Sequence, residues 1–229
     1  MSIDTLILYG SCAREDEDAE SDIDLFALTT AEDHNMVVKQ KVNLAIYPLK
    51  LALNMAENGD LFLLHIVEEG KVIYDSEGHF DKLRSSFSYR STYRSEIIKA
   101  SDLGWTLIEL APNSNNHTLI NRRMAWCVRT ILIAMCAEKR TPRFSASSLA
   151  KYSGDASVTA LIKNKNSDRL DRNILLDFKN FLHKFGSPPP EWIGAKNIEL
   201  YKRQFLHAGN SVGLQTMKLI STSDQDSSY

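Results

Sequence analysis

Four residues near the start of the chain could do chemistry together: Gly10, Ser11, Asp22 and Asp24. Gly10 follows a short apolar run and precedes a segment with helical character. A glycine there lets backbone N–H groups approach an anion closely, and the first turn of a helix favours negative charge. The Ser11 hydroxyl can add a further hydrogen bond to the same anion. Asp22 and Asp24 lie two residues apart in an extended segment, a spacing that turns both carboxylates to one face. Two carboxylates side by side repel unless a cation sits between them. For an all-oxygen site that also meets phosphates the natural cation is Mg²⁺. A phosphate cradle facing a carboxylate pair is the equipment of phosphoryl transfer, which needs positioning and charge neutralisation above all. Either half alone is a weak signal. The ten residues from Cys12 to Ser21 that separate them, with one half at the end of a strand and the other at the start of one, make the combination a strong one.

The elements that must position these residues are legible by their periodicity. Ile3 to Tyr9 and Asp22 to Leu28 read as strands. Lys41 to Tyr47 alternates, with Val42, Leu44 and Ile46 on one face and Asn43, Ala45 and Tyr47 on the other, and Pro48 ends it. Lys50 to Glu57 reads as a helix. Leu61 to Val67 is ambiguous by period and is read as a helix closed by Glu68-Glu69-Gly70. Lys71 to Asp75 is a short strand. Beyond about Asp81 strand signals cease. Helices are expected over Tyr89 to Leu110, Leu119 to Ala137, Leu170 to Phe185 and Ile198 to His207. The serine- and aspartate-rich end reads as a disordered tail. The expected fold class is α/β (α+β): a small mixed-sheet domain over 1–83, an α-helical bundle over 84–212 and a tail over 213–229.

Composition sets the outer limits. The 229 residues include 43% hydrophobic and 24% charged residues with a formal net charge of -2, which describes an ordinary globular chain and disfavours a protein living on duplex nucleic acid. Cys12, Cys127 and Cys136 have no metal-site spacing and read as reduced apolar fillers. No signal-peptide pattern opens the chain and no apolar stretch reaches membrane-spanning length, so a cytoplasmic protein without membrane contact is expected.

The runs Gly10-Ser11-x-Ala13-Arg14 and Ser21-Asp22-Ile23-Asp24-Leu25, with ten residues between Ser11 and Asp22, resemble the signature of the DNA polymerase β-like nucleotidyltransferase superfamily. They are closest to the minimal and aminoglycoside nucleotidyltransferase members. Leu61 to Asp75 is similar to the segment that closes such a domain, so the resemblance covers about the first third of the chain. It implies an NTP, ATP foremost, bound as its Mg²⁺ complex. A nucleoside monophosphate would move to an acceptor hydroxyl of a small molecule, protein or RNA. Gly10, Ser11 and Arg14 would serve the phosphates, and Asp22 and Asp24 the metal.

This chain also departs from the pattern. The third carboxylate common in the family falls at Asn43, Glu15 stands where a glycine often follows the motif arginine, and no helix is read before the first strand. Asn43 sustains a second expectation: a catalytically degenerate relative acting as a regulatory or antitoxin-like partner of a toxin-type protein, with homo-oligomerisation open.

Other candidates weigh less. Arg14 is as readily a partner of the acidic cluster Glu15, Asp16, Glu17, Asp18 and Glu20 as of a phosphate. Arg122, Arg123 and Arg129 share one long helix and read first as surface charge. Such nucleotidyltransferases often work with HEPN proteins, whose nuclease motif is an arginine followed by a histidine. Three residues separate Arg203 from His207, short of that motif's usual spacing. His65 reads as a satisfied core histidine, and Tyr89, Tyr93 and Trp105 as core rather than a base-stacking platform.

Overall fold

The computed structural model describes residues 3–17, 21–32 and 34–226, the last four by backbone alone. They form two compact units, Met1–Ser91 with Cys136–Ser145, and Thr92–Met135 with Ala146–Tyr229.

In the first unit five strands form one mixed sheet: β1 (Thr5–Tyr9), β2 (Ile23–Thr29), β3 (Asn35–Lys39), β4 (Val42–Pro48) and β5 (Lys71–Asp75). Their order is β3-β4-β2-β1-β5. β2 runs parallel to β4, and the other neighbours are antiparallel. β2 is central, and its Phe26, Ala27 and Leu28 are fully buried. β3 carried no readable signal in the sequence, because all five of its residues are exposed and it has no buried face to impose a period. It pairs back on β4 through a turn at Gln40, whose φ is 55°.

Four helices complete this unit: α1 (Ser11–Arg14), α2 (Leu49–Glu57), α3 (Leu61–Glu69) and α4 (His79–Ser86). The ambiguous run resolves as α3 for a local reason. Asp60 caps it, accepting from the N–H groups of Phe62 and Leu63 at 2.8 and 3.2 Å. Leu63 and Ile66 of α3 then pack with Ile7, Phe26, Phe80 and Leu83 into the core that supports β1 and β2.

The second unit is helical. It contains α5 (Arg94–Leu110), most of α6 (His117–Glu138), α7 (Ala146–Ser153), α8 (Ser157–Lys163), α9 (Arg172–Phe185), α10 (Ile198–His207) and α11 (Ser211–Asp226). The expected tail from 213 is corrected here, since the chain is helical to Asp226. Asn210 starts α11 by accepting from the N–H of Gly213 at 2.9 Å. A Cβ at Gly213 would lie 2.6 Å from Phe205 Cδ1. Met217 and Ile220 are buried at the following turns. Polar composition concealed a helix with one apolar stripe. The expected boundary at 83/84 also differs from the observed division, because the stretch from Cys136 to Ser145 belongs to the first unit. Among the described residues no helix is long and apolar enough to cross a membrane.

Candidate active site

β1 ends at Tyr9 and the chain turns at Gly10 with φ 77° and ψ -153°, a region of backbone space open in practice only to glycine. The turn also needs glycine for space: a Cβ there would sit 2.8 Å from Asp24 Oδ2. Gly10 therefore brings bare backbone directly beside a carboxylate. α1 follows at once, so Ser11 opens a helical turn whose first N–H groups have no partner within it.

Asp24 is placed by the sheet. It lies in β2 opposite Tyr9 of β1 on one side and opposite Asn43 of β4 on the other. Asn43 Nδ2 donates to Asp24 Oδ1 over 3.0 Å. The expected third position is thus occupied by an amide already turned towards Asp24. Asp22 immediately precedes β2, and its carbonyl accepts a weak contact from Cys12 Sγ at 3.5 Å. Sheet and turn bring Gly10, Asp24 and Asn43 together, with Ser11, Cys12 and Asp22 next to them in the chain.

The surroundings are electrostatically asymmetric. Tyr9 lies beneath the site, and burial, then Asp24, then Tyr47 push its hydroxyl well above the usual tyrosine range. The Cys12 thiol is raised by loss of hydration and by the negative charge of Glu17, Asp24 and Asp22 against a hydrogen bond from Ser11, which leaves it a poor nucleophile. Asp22 and Asp24 are the carboxylates next to the Gly10 turn in the chain and the sheet, and their oxygens are donors that suit a hard cation. Among the described residues no group of three or more His, Cys, Asp or Glu side chains is arranged to hold a metal ion.

Arg14 is engaged elsewhere. Its Nε donates to Asp16 at 3.1 Å and its Nη1 to Glu69 Oε2. Burial alone would lower its pKa, but these carboxylates outweigh burial and keep it firmly charged. Of the acidic cluster, Glu15 pairs with Lys71 at 2.6 Å, while Asp18 and Glu20 lie outside the described residues. His65, read as a core histidine, is partly buried. Its Nε2 lies 2.7 Å from Glu69 Oε2, its ring stacks on Phe144 with centroids 4.4 Å apart, and it stands edge-on to Tyr9. Sequence reasoning missed this link. The four-residue spacing of His65 and Glu69 on one helix was the signal that could have revealed it.

The remaining candidates fall in the second unit, Tyr89 and Cys136 apart. Arg122 is exposed, and Arg123 is partly buried, reaching Gln215 at 3.4 Å. Arg203 and His207 are exposed on α10. Tyr93 and Trp105 are buried core, whereas Tyr89 lies under the Arg140 guanidinium at 4.5 Å. Cys127 and Cys136 are buried thiols, the latter pushed up to about 11 by burial.

A nucleotidyltransferase-like protein from Exiguobacterium sibiricum 255-15, known from a crystal structure, is similar to this chain at 13% identity. The match covers 79% of this chain and 69% of that one with a TM-score of 0.33. No curated protein matches the chain. A sequence model of the family described as polymerase beta, nucleotidyltransferase matches residues 1–79, the span that holds the Gly10 turn, Asp22, Asp24 and all five strands. Residues 1–79 are thus similar to nucleotidyltransferase domains of the polymerase beta type, a likeness that spans about the first third of the chain.

Proposed function

We propose that this chain is a Mg²⁺-dependent nucleotidyltransferase that moves a nucleoside monophosphate from an NTP, ATP foremost, to an acceptor hydroxyl in the cytoplasm. The observation that carries the proposal is the approach of the Gly10 turn to Asp24, so close that a Cβ at Gly10 would meet the carboxylate at 2.8 Å. A phosphate seated on the Ser11 hydroxyl and the N–H groups of that turn would lie beside Asp24. Asp22 and Asp24 supply two carboxylates, and phosphate oxygens and water would complete the shell, the usual manner in which Mg²⁺ binds. The ion and the NTP would enter as one complex. Bound there, Mg²⁺ would neutralise charge on the phosphates.

The acceptor oxygen attacks the α-phosphorus, the bond to the pyrophosphate oxygen breaks, and the acceptor proton passes to water. The neutral Asn43 amide is not a base for that proton. The acceptor class, a small molecule, a protein or an RNA, belongs to the same proposal.

One observation favours a second reading. The Asn43 amide occupies Asp24 Oδ1, where the family pattern implies another carboxylate. In that reading the domain is catalytically degenerate, binds nucleotide or nothing, and serves as a regulatory or antitoxin-like partner of a toxin-type protein.

Titration calorimetry with ATP, GTP, CTP and UTP, with and without Mg²⁺, separates the two. The enzyme reading expects metal-dependent binding to the wild type, abolished in an Asp22→Asn/Asp24→Asn double variant. Failure of all four nucleotides to bind would reject it in favour of the second.

A further inference from the structure

The first unit holds a line of polar side chains that the proposed chemistry does not use. Arg14 is the last residue of α1, the turn that opens at Gly10 and Ser11. Its Nε donates to both oxygens of Asp16, at 3.1 and 3.2 Å, and its Nη1 donates to Glu69 Oε2. The same Glu69 oxygen lies 2.7 Å from His65 Nε2. The three side chains of Arg14, Glu69 and His65 are only 19%, 15% and 14% exposed. The His65 ring is in turn fixed, stacked on Phe144 at an interplanar angle of 13° and edge-on to Tyr9 at 5.4 Å.

Two physical points give this line a purpose. A four-residue helix cannot hold itself in place, because helix nucleation is unfavourable and short helices take their position from tertiary contacts. α1 has no side-chain cap at its Gly10 end; Ala13 is buried, and Arg14 ties the last position of the helix to Asp16 and Glu69 through its side chain. In addition, two carboxylates already engage Nε and Nη1 of the guanidinium, which leaves less of it to offer a phosphate.

We infer that Arg14 is a positioning residue for the phosphate-binding turn, held by Glu69 and His65, and not a phosphate ligand. The inference rests on the nucleotide-binding reading above. Glu69 sets the guanidinium, the guanidinium sets the end of α1, and α1 sets the Ser11 hydroxyl and the N–H groups at Gly10.

The test is the affinity for Mg²⁺·ATP, measured by calorimetry in four proteins: wild type, Arg14→Gln, Glu69→Gln and the double variant. A strut gives each single variant a loss of about tenfold and the double variant a loss no larger than that, because both changes break one link. A direct phosphate ligand behaves oppositely, since Glu69→Gln then frees the guanidinium and affinity rises. Unchanged or tighter binding in Glu69→Gln, or losses that multiply in the double variant, would overturn the inference. His65→Phe keeps a ring against Phe144 and Tyr9 but removes Nε2. It should weaken binding a few-fold, on the order expected for one hydrogen bond, with little change in melting temperature. A fall in melting temperature at constant affinity in these variants makes the line structural only and also overturns the inference. Absence of NTP binding in the wild type rejects the nucleotide reading itself, and this inference with it.

Discussion

Asn43 stands level with Asp24 across the parallel pair of β2 and β4 and donates its amide hydrogen to Asp24 Oδ1 over 3.0 Å. At this position one atom of side-chain chemistry separates a satisfied hydrogen bond from a pair of repelling carboxylates.

Asn43→Asp should therefore lower the melting temperature in the absence of metal. The variant loses a donor and gains a like charge beside Asp24, a combined cost of about 1–3 kcal/mol. Millimolar Mg²⁺ should restore more stability to the variant than to the wild type. Thermal unfolding with and without Mg²⁺ measures both. A variant as stable as the wild type without metal would mean that the two side chains do not interact in solution.

Gly10→Ala should be damaging on two counts. Its φ of 77° and ψ of -153° cost about 1–3 kcal/mol for any residue with a Cβ. The added carbon would also press on Asp24 Oδ2 at 2.8 Å. The expected outcome is a lower melting temperature together with loss of Mg²⁺·ATP binding by calorimetry. Retained binding would show that the turn does not need this close approach.

Asp75 gives the first unit an acid-sensitive anchor. Burial alone would raise its carboxyl, but hydrogen bonds from the Phe80 N–H, the Thr5 hydroxyl and the His79 N–H outweigh burial and hold it below the ordinary 3.8. A folded-state pKa below the unfolded one contributes stability that is fully present above 3.8 and is lost as pH falls through the lowered value. Asp75→Asn keeps one oxygen for three donors and should cost about 1 kcal/mol at neutral pH. The gap from wild type should close below pH 3.8. Melting temperatures followed from pH 7 into acid test it, and a gap independent of pH would exclude an ionised Asp75 as the anchor.

How far the fold could be read from the chain depended on whether a segment has one wet and one dry face. β4 is legible because Val42, Leu44 and Ile46 alternate with Asn43, Ala45 and Tyr47 before Pro48, and its extent over Lys41 to Tyr47 differs from the observed strand by one residue at each end. The short strand expected over Lys71 to Asp75, after the helix closed at Gly70, is β5 at its full extent. β3 has no dry face, so no periodicity marks it. α11 was taken for a tail because Ser221, Thr222 and Ser223 dominate its end, while its burial rests on Met217, Ile220 and the small Gly213. The Gly10 and Asp24 juxtaposition was legible because both depend on local spacing. The engagement of Arg14 by Glu69 was not, because those residues lie 55 positions apart and meet only after α3 packs on β1.

The first unit is not contiguous in the chain, and this bears on how such a protein can evolve. Phe144, on which His65 stacks, and Arg140, which covers Tyr89, are both encoded after α5 and α6. A recombination event that carried only the first 91 residues to a new neighbour would strand His65 and Tyr89 without their covers. The two units are thus interleaved at the level of the gene. They would be inherited together, and the first would travel as a working cassette only with a second crossover near Ser145.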